Sequence, residues 1–264
     1  MIERGTRQRL LQGEVSFGFE LILGSVPIAE MMASTTVDFV LLDLQHGRWS
    51  HDTALAAIMA FGSGAATPMA RVQRNDYWHI GRLLDDGFLG IVVPSVDTRD
   101  EARLVAEAAH YPPRGKRSWG WGRAPFRERA AYRRRVEDEA FIAVQIESAE
   151  AVGNAEAILA TDGIDGCWIG PSDLALSMGL APEEASQHAE HAAAIERTLR
   201  ACRDTGKVPG FATGSADEAC ARAGQGFRFL TVGNDATFVQ AACGAAQERI
   251  QRYRRETGSS APHR

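Results

Sequence analysis

The stretch AVQIESAEAVGNAEAILATDGIDGCWIGPSDLALSMG, residues 143–179, decides the fold. It opens on an apolar run that ends in Glu147, passes through an Ala-rich segment, returns to a second apolar run at 165–170 and then reaches Asp173. Strand, covering helix and strand make a parallel unit, because parallel neighbours need a crossover and strands covered on both faces are apolar almost throughout. Each strand delivers one carboxylate at or just beyond its C-terminal end, where parallel α/β folds gather their chemistry. Two carboxylates on neighbouring strand ends suit a hard divalent cation that keeps positions open for substrate and water. Taken singly, one would cap a helix and the other pair with a basic residue, and GPSD before LALSMG does read as a helix start. The pair, in this order, points to a metal site.

Working outward, eight β-rich runs recur: FGFELIL (17–23), DFVLLDL (38–44), TPMARV (67–72), GIVVP (90–94), FIAVQIE (141–147), DGCWIG (165–170), VPGFAT (208–213) and FRFLTVG (227–233). The segments between them start on Asp, Ser or Thr and several end on Gly, the asymmetry expected of helices. Eight alternations in about 250 residues match a (β/α)8 TIM barrel better than a doubly wound sheet. No linker divides the chain, which reads as one barrel domain over residues 1–264. The tail, DATFVQAACGAAQERIQRYRRETG from 235, reads as one amphipathic helix that closes the barrel or packs on a neighbour.

Bulk properties set limits. A chain of 264 residues with 45% apolar composition buries a full core. A net charge of −5 argues against nucleic acid or anionic membrane as a partner and leaves a small molecule. Cys167, Cys202, Cys220 and Cys243 are widely spaced, which suggests reduced packing cysteines of a cytoplasmic protein. The first residues, MIERGTRQRLLQGE, contain no apolar export segment, and no run approaches a membrane span.

Polar residues accumulate at the strand ends: Asp43, Gln45 and His46 after the second, Arg71 on the third, Gln145 and Glu147 on the fifth, Asp173 after the sixth. Together with DFVLLDLQHG, RLLDDGFLGIVVPSVDTRDEARLVAEAAHYPPRGKR and GIDG...IGPSDL, they resemble the class II pyruvate aldolases of the 4-hydroxy-2-oxoheptanedioate aldolase (HpcH/HpaI) family, over roughly residues 14 to 250. The resemblance implies a (β/α)8 barrel and a divalent cation, Mg2+, Mn2+ or Co2+, held by Glu147 and Asp173. It implies reversible cleavage of a 4-hydroxy-2-oxo acid to pyruvate and an aldehyde through a metal-stabilised enolate. It also implies a homo-hexamer, a trimer of dimers that exchange C-terminal helices. Position by position, Arg71 matches the arginine on the pyruvate oxygens, a sensible place for a fixed guanidinium as enolate charge develops. Gln145 matches a residue lining the site, and the amides around Ser172 and Asp173 match the carboxylate cradle. His46 matches the acid/base histidine, with Asp43 nearby and Asp85 matching a carboxylate that orients it, from this or another subunit.

Each position also has a plainer reading. His46 alone would be a hydrogen-bonded strand-end histidine, Arg71 a partner of a barrel carboxylate, and Asp85 with Asp86 a solvated helix end. His188 and His191 read as surface residues of a long helix, and the basic run Arg127 to Arg135 as a solvated or intersubunit helix face. GSGAAT, 62–67, is a turn too weak for a phosphate loop. Departures from the family cluster at the pocket: Gln45 stands where Glu usually precedes the histidine, and Glu20 and Arg74 replace frequent Trp residues. The loop SWGWGRA, 118–124, is shorter and carries Trp119 and Trp121. These changes suggest an altered acceptor specificity, toward a polar or charged aldehyde. Two further readings are a citrate lyase β-subunit-like enzyme acting on a CoA thioester, for which no basic cradle is evident, and a non-catalytic barrel.

Overall fold

In the computed structural model, which describes residues 5–62 and 64–257, eight parallel strands close into a barrel. They are β1 (Ser16–Leu21), β2 (Phe39–Asp43), β3 (Thr67–Arg71), β4 (Gly90–Val93), β5 (Phe141–Ile146), β6 (Gly166–Ile169), β7 (Gly210–Thr213) and β8 (Phe229–Asn234). They follow one another round the barrel in chain order, and β8 pairs back onto β1 with Ser16 opposite Phe229. Each expected run overlaps one strand, and the architecture is a (β/α)8 barrel.

The alternation of side chains along a strand sorts the residues between two apolar layers. One set faces the helices. The other, Phe39, Leu41, Met69, Val92, Phe141, Ala143, Trp168, Val208 and Phe229, fills the barrel interior. The interior is crowded: a Cβ at Gly18 would lie 2.3 Å from the ring of Phe39. Continuing the same period of two toward the C-terminal ends brings Glu20, Asp43, Arg71, Gln145 and Gly170 inward above this apolar plug.

The helices form for local reasons. Ser50 and Thr98 close capping boxes before His51–Ala60 and Arg99–Ala109, and left-handed Gly87, Gly206 and Gly226 terminate Tyr77–Asp86, Ala189–Thr205 and Ala216–Gln225. The Ala-rich segment between β5 and β6 divides into two helices, Ala149–Gly153 and Ala155–Leu159, separated by Asn154, whose side chain donates to the Asp97 carbonyl. The basic run spans two helices, Arg123–Glu128 and Ala130–Glu139, and Arg127, Arg129, Arg133 and Arg134 are exposed.

Two terminal elements shape the barrel ends. A helix, Thr6–Leu11, that the sequence reading did not include inserts Leu10 into the interior cluster at the N-terminal face. It is held there by Arg7, which donates to both oxygens of Asp165 at 3.0 and 2.7 Å, and by the Thr6 hydroxyl on the Asp38 carbonyl. The tail forms a helix, Asp235–Thr257, in which Asp235 alone is buried; its carboxylate accepts from the amides of Ile22 and Leu23. Met1 to Arg4, Ser63 of the 62–67 turn and Gly258 at the end of the expected tail helix lie outside the described residues. Among the described residues no helix is long and apolar enough to cross a membrane. Cys167 and Cys202 pack in the core with their sulfurs 3.4 Å apart, whereas Cys220 and Cys243 are exposed because their helices turn those positions to solvent.

Candidate active site

Arg71 organises one side of the barrel mouth. Its Nε and Nη2 donate to the two oxygens of Asp43 at 2.8 and 2.6 Å, and Nη2 also donates to Glu20 at 3.2 Å. The guanidinium carbon stands 5.1 Å from the centre of the Trp168 ring. Asp43 is buried and fully committed, since its Oδ1 also accepts from the amides of Gln45 and His46. It therefore fixes both the arginine and the turn after β2. Nη1 of Arg71 has no acceptor among the described residues.

Glu147 organises the other side. It follows directly on β5, where its Oε1 accepts from the Ser95 amide at 2.7 Å and the Ser95 hydroxyl at 3.3 Å, and its Oε2 accepts from the Gln145 amide group. Ser95 adopts a left-handed backbone conformation, φ 54°, just beyond β4. Burial pushes the Glu147 carboxyl up, and the nearby Asp173 pushes it further, against the opposing pull of Ser95 and Arg71. Gly170 makes this arrangement possible. A Cβ there would come within 2.7 Å of Gln145 Nε2 and 3.0 Å of Glu147 Oε2.

Asp173 lies in the first turn of the helix Pro171–Ser177, whose N-cap is Gly170, so it does not cap the helix through its side chain. It is exposed, beside Ser172. His191, expected on the surface, is buried, and its Nε2 bonds the Pro171 carbonyl at 3.0 Å. Its i, i+3 partner His188 is half-buried, because it sits in extended backbone at the N-cap and not within the helix.

The remaining candidates divide by place. His46 is exposed on the turn that Asp43 holds, and Gln45 beside it has a buried Oε1 with no partner. Arg74 is 79% exposed on the rim and 4.0 Å from Asp76. Asp85 lies on the barrel flank, where it accepts from Arg117 at 2.5 Å and lines a separate cavity of about 190 Å³ with Trp78 and Trp119. Its neighbour Asp86 is buried 3.4 Å from His51, so the pair is not a solvated helix end. Trp119 and Trp121 meet edge to face at 6.2 Å and remain exposed. Arg117 itself stacks over Tyr111 at 4.6 Å and donates to the Tyr132 hydroxyl.

The donors about Glu147 fit a hard cation. Glu147 and Asp173 repel one another, and the buried Gln145 Oε1 has no hydrogen-bond partner among the described residues. All three offer oxygen, the preference of Mg2+ and its kin. No group of three or more His, Cys, Asp or Glu gathers among the described residues, so water or substrate would fill the other positions. Sequence reasoning missed Ser95, Gly170 and Trp168 as parts of this site. The period of two could have placed Trp168 inward, but nothing local marks Ser95.

Comparison with known proteins follows the same lines. Residues 22–242 match the family model described as HpcH/HpaI aldolase/citrate lyase. A hydroxypyruvate/pyruvate aldolase of Rhizorhabdus wittichii is 38% identical over 81% of this chain and 85% of its own length. The 4-hydroxy-2-oxo-heptane-1,7-dioate aldolase of Escherichia coli is 34% identical over 94% and 95%. Among solved structures, an HpcH/HpaI aldolase/citrate lyase family protein from Burkholderia cenocepacia superposes with a TM-score of 0.87 at 28% identity, covering 93% of this chain and 98% of the other.

Proposed function

The chain belongs to the HpcH/HpaI aldolase/citrate lyase family and is an aldolase, a carbon–carbon lyase; from that premise we propose that it reversibly cleaves a 4-hydroxy-2-oxo acid to pyruvate and an aldehyde, in the cytoplasm, with a divalent cation held by Glu147 and Asp173.

The observation that carries this reading is the arginine at the mouth. Asp43 grips Arg71 through Nε and Nη2 and leaves Nη1 open, which presents a rigid, oriented positive charge to an incoming oxygen. A donor fixed before reaction is worth most where negative charge develops, here the enolate oxygen of pyruvate. The cation, Mg2+, Mn2+ or Co2+, would supply Lewis acidity toward the 2-oxo acid. Gln145 lends its unpaired oxygen to the same region. The first-turn amides of Ser172 and Asp173 have no acceptor within the helix and suit the substrate carboxylate.

His46 moves the proton. It stands exposed on a turn whose backbone Asp43 holds, and its imidazole is free to reach the 4-hydroxyl. Asp85 orients it from a neighbouring copy in a homo-hexamer, a trimer of dimers that exchange C-terminal helices. Two features support that assembly: Arg117 pins Asp85 on the flank away from its own barrel mouth, and the helix Asp235–Thr257 leaves Val239, Ile250 and Tyr253 exposed.

The test needs no knowledge of the aldehyde. Pyruvate methyl protons should exchange with D2O when Mg2+ or Mn2+ is present, and exchange should collapse in EDTA and in Glu147→Ala. A metal-loaded protein that catalyses no exchange would overturn the reading.

A further inference from the structure

Glu20 has no task in the chemistry above, yet the fold places it at the centre of the site. It points inward from β1, two residues after Gly18, and its Oε1 accepts from Arg71 Nη2. That nitrogen already serves Asp43 at the shorter distance of 2.6 Å, and Asp43 binds the guanidinium through both oxygens. The arginine's charge is therefore answered before Glu20 is counted, and Glu20, once ionised, adds negative charge to a mouth that already holds Asp43, Glu147 and Asp173. Its second oxygen, Oε2, accepts from no donor among the described residues, and the side chain is 15% exposed, so that oxygen meets the mouth.

A carboxyl so placed has two effects on a molecule entering beside Arg71. It accepts a hydrogen bond from a hydroxyl, and a charge-assisted bond of this kind is stronger than a neutral one. Once ionised, it also repels a second carboxylate, in a region walled by Trp168 and the apolar interior where screening by water is reduced. The donor half-site does not need it, since the 2-oxo acid already has Arg71 and the Glu147 side.

We propose that Glu20 is the specificity-determining residue for the acceptor, selecting a short neutral hydroxyaldehyde and rejecting aldehydes that carry a terminal carboxylate. The inference rests on the aldolase reading above. In the addition direction C3 of pyruvate gives up a proton to form the enolate, C3 bonds the aldehyde carbon as its C=O π pair moves to oxygen, and that oxygen takes up a proton. Glu20 forms and breaks no covalent bond and contacts only the acceptor's hydroxyl.

The test compares kcat/KM for glycolaldehyde and for succinate semialdehyde, each with pyruvate, in the parent, Glu20→Gln and Glu20→Leu, at about pH 8, where the parent's carboxyl is ionised. Ratios are taken within each protein, so a general loss of activity cancels. The parent should favour glycolaldehyde at least tenfold, which corresponds to about 1.4 kcal/mol. Glu20→Gln should lower the ratio about tenfold, chiefly by admitting the semialdehyde, and Glu20→Leu should lower it by losing glycolaldehyde. A parent that prefers the semialdehyde, or ratios unmoved in both variants, would overturn the proposal. So would use of neither aldehyde by a parent that exchanges pyruvate protons, and that result would leave the enolisation reading standing. Absence of exchange in the metal-loaded parent would overturn both.

Discussion

At Glu20 burial outweighs the attraction of Arg71, and with repulsion from Asp43 and Asp235 the carboxyl is pushed up to about 7. Between the ordinary glutamate range and that value the folded protein holds a proton that the unfolded chain has released. Stability from this residue is thus greatest on the acid side and declines as pH rises through about 7. Relative to Glu20→Gln, the parent should lose up to ~3 kcal/mol between pH 5 and pH 8, read from urea midpoints of both proteins at both pH values. Parallel midpoints would show that Glu20 is ionised throughout. Residues of this kind were legible in proportion to how far a strand's own period places them. Asp43, Arg71, Gln145 and Glu147 follow from β2, β3 and β5 because every second side chain faces inward. Ser95 was not legible, since its bond to Glu147 joins residues 52 apart and depends on how two loops meet. Gly170 was visible only as part of a motif; the reason for it is the 2.7 Å clearance to Gln145.

Elements carry their own lesson in the helix Pro171–Ser177, which has seven residues and no side-chain N-cap, too little to hold Asp173 steady by itself. The buried imidazole of His191 anchors its start by bonding the Pro171 carbonyl. Replacing His191 by Leu leaves that carbonyl without its partner and should cost about 1–3 kcal/mol in chemical denaturation. The same variant should need more Mn2+ for half-maximal pyruvate exchange. Unchanged stability together with an unchanged Mn2+ requirement would remove the anchoring role. The sequence pattern placed His191 on the correct helix but on the wrong face, because AEHAAAIERTLR offers polar residues on several sides and periodicity alone does not choose among them. Thr6–Leu11 was missed for the opposite reason: six residues, largely polar, carry only Leu10 and Thr6 as buried positions.

For the molecule as a whole, the strand order and the closing of β8 on β1 were readable from eight apolar runs at barrel spacing, whereas the assembly was not, because a helix with few partners reads the same whether it folds back or reaches out. The helix Asp235–Thr257 would extend about 35 Å if straight. If it is exchanged between copies, the full chain should sediment as a hexamer, and a chain ending after Gln240 should sediment as smaller species with at least tenfold less aldolase activity, since Asp85 would no longer reach a neighbouring His46. A monomeric parent would discard the exchange. The plug formed by Leu10, Arg7 and Asp165 has a further consequence. With the interior filled from the floor upward, Arg71 and Glu147 are approached from the mouth, and on the aldolase reading the two products leave by that face in turn. If pyruvate sits deeper, on Arg71, it must wait until the aldehyde above it has left. Pyruvate should then inhibit cleavage competitively with the aldol substrate and the aldehyde should not, and the fold would thereby dictate the order of traffic as well as the chemistry.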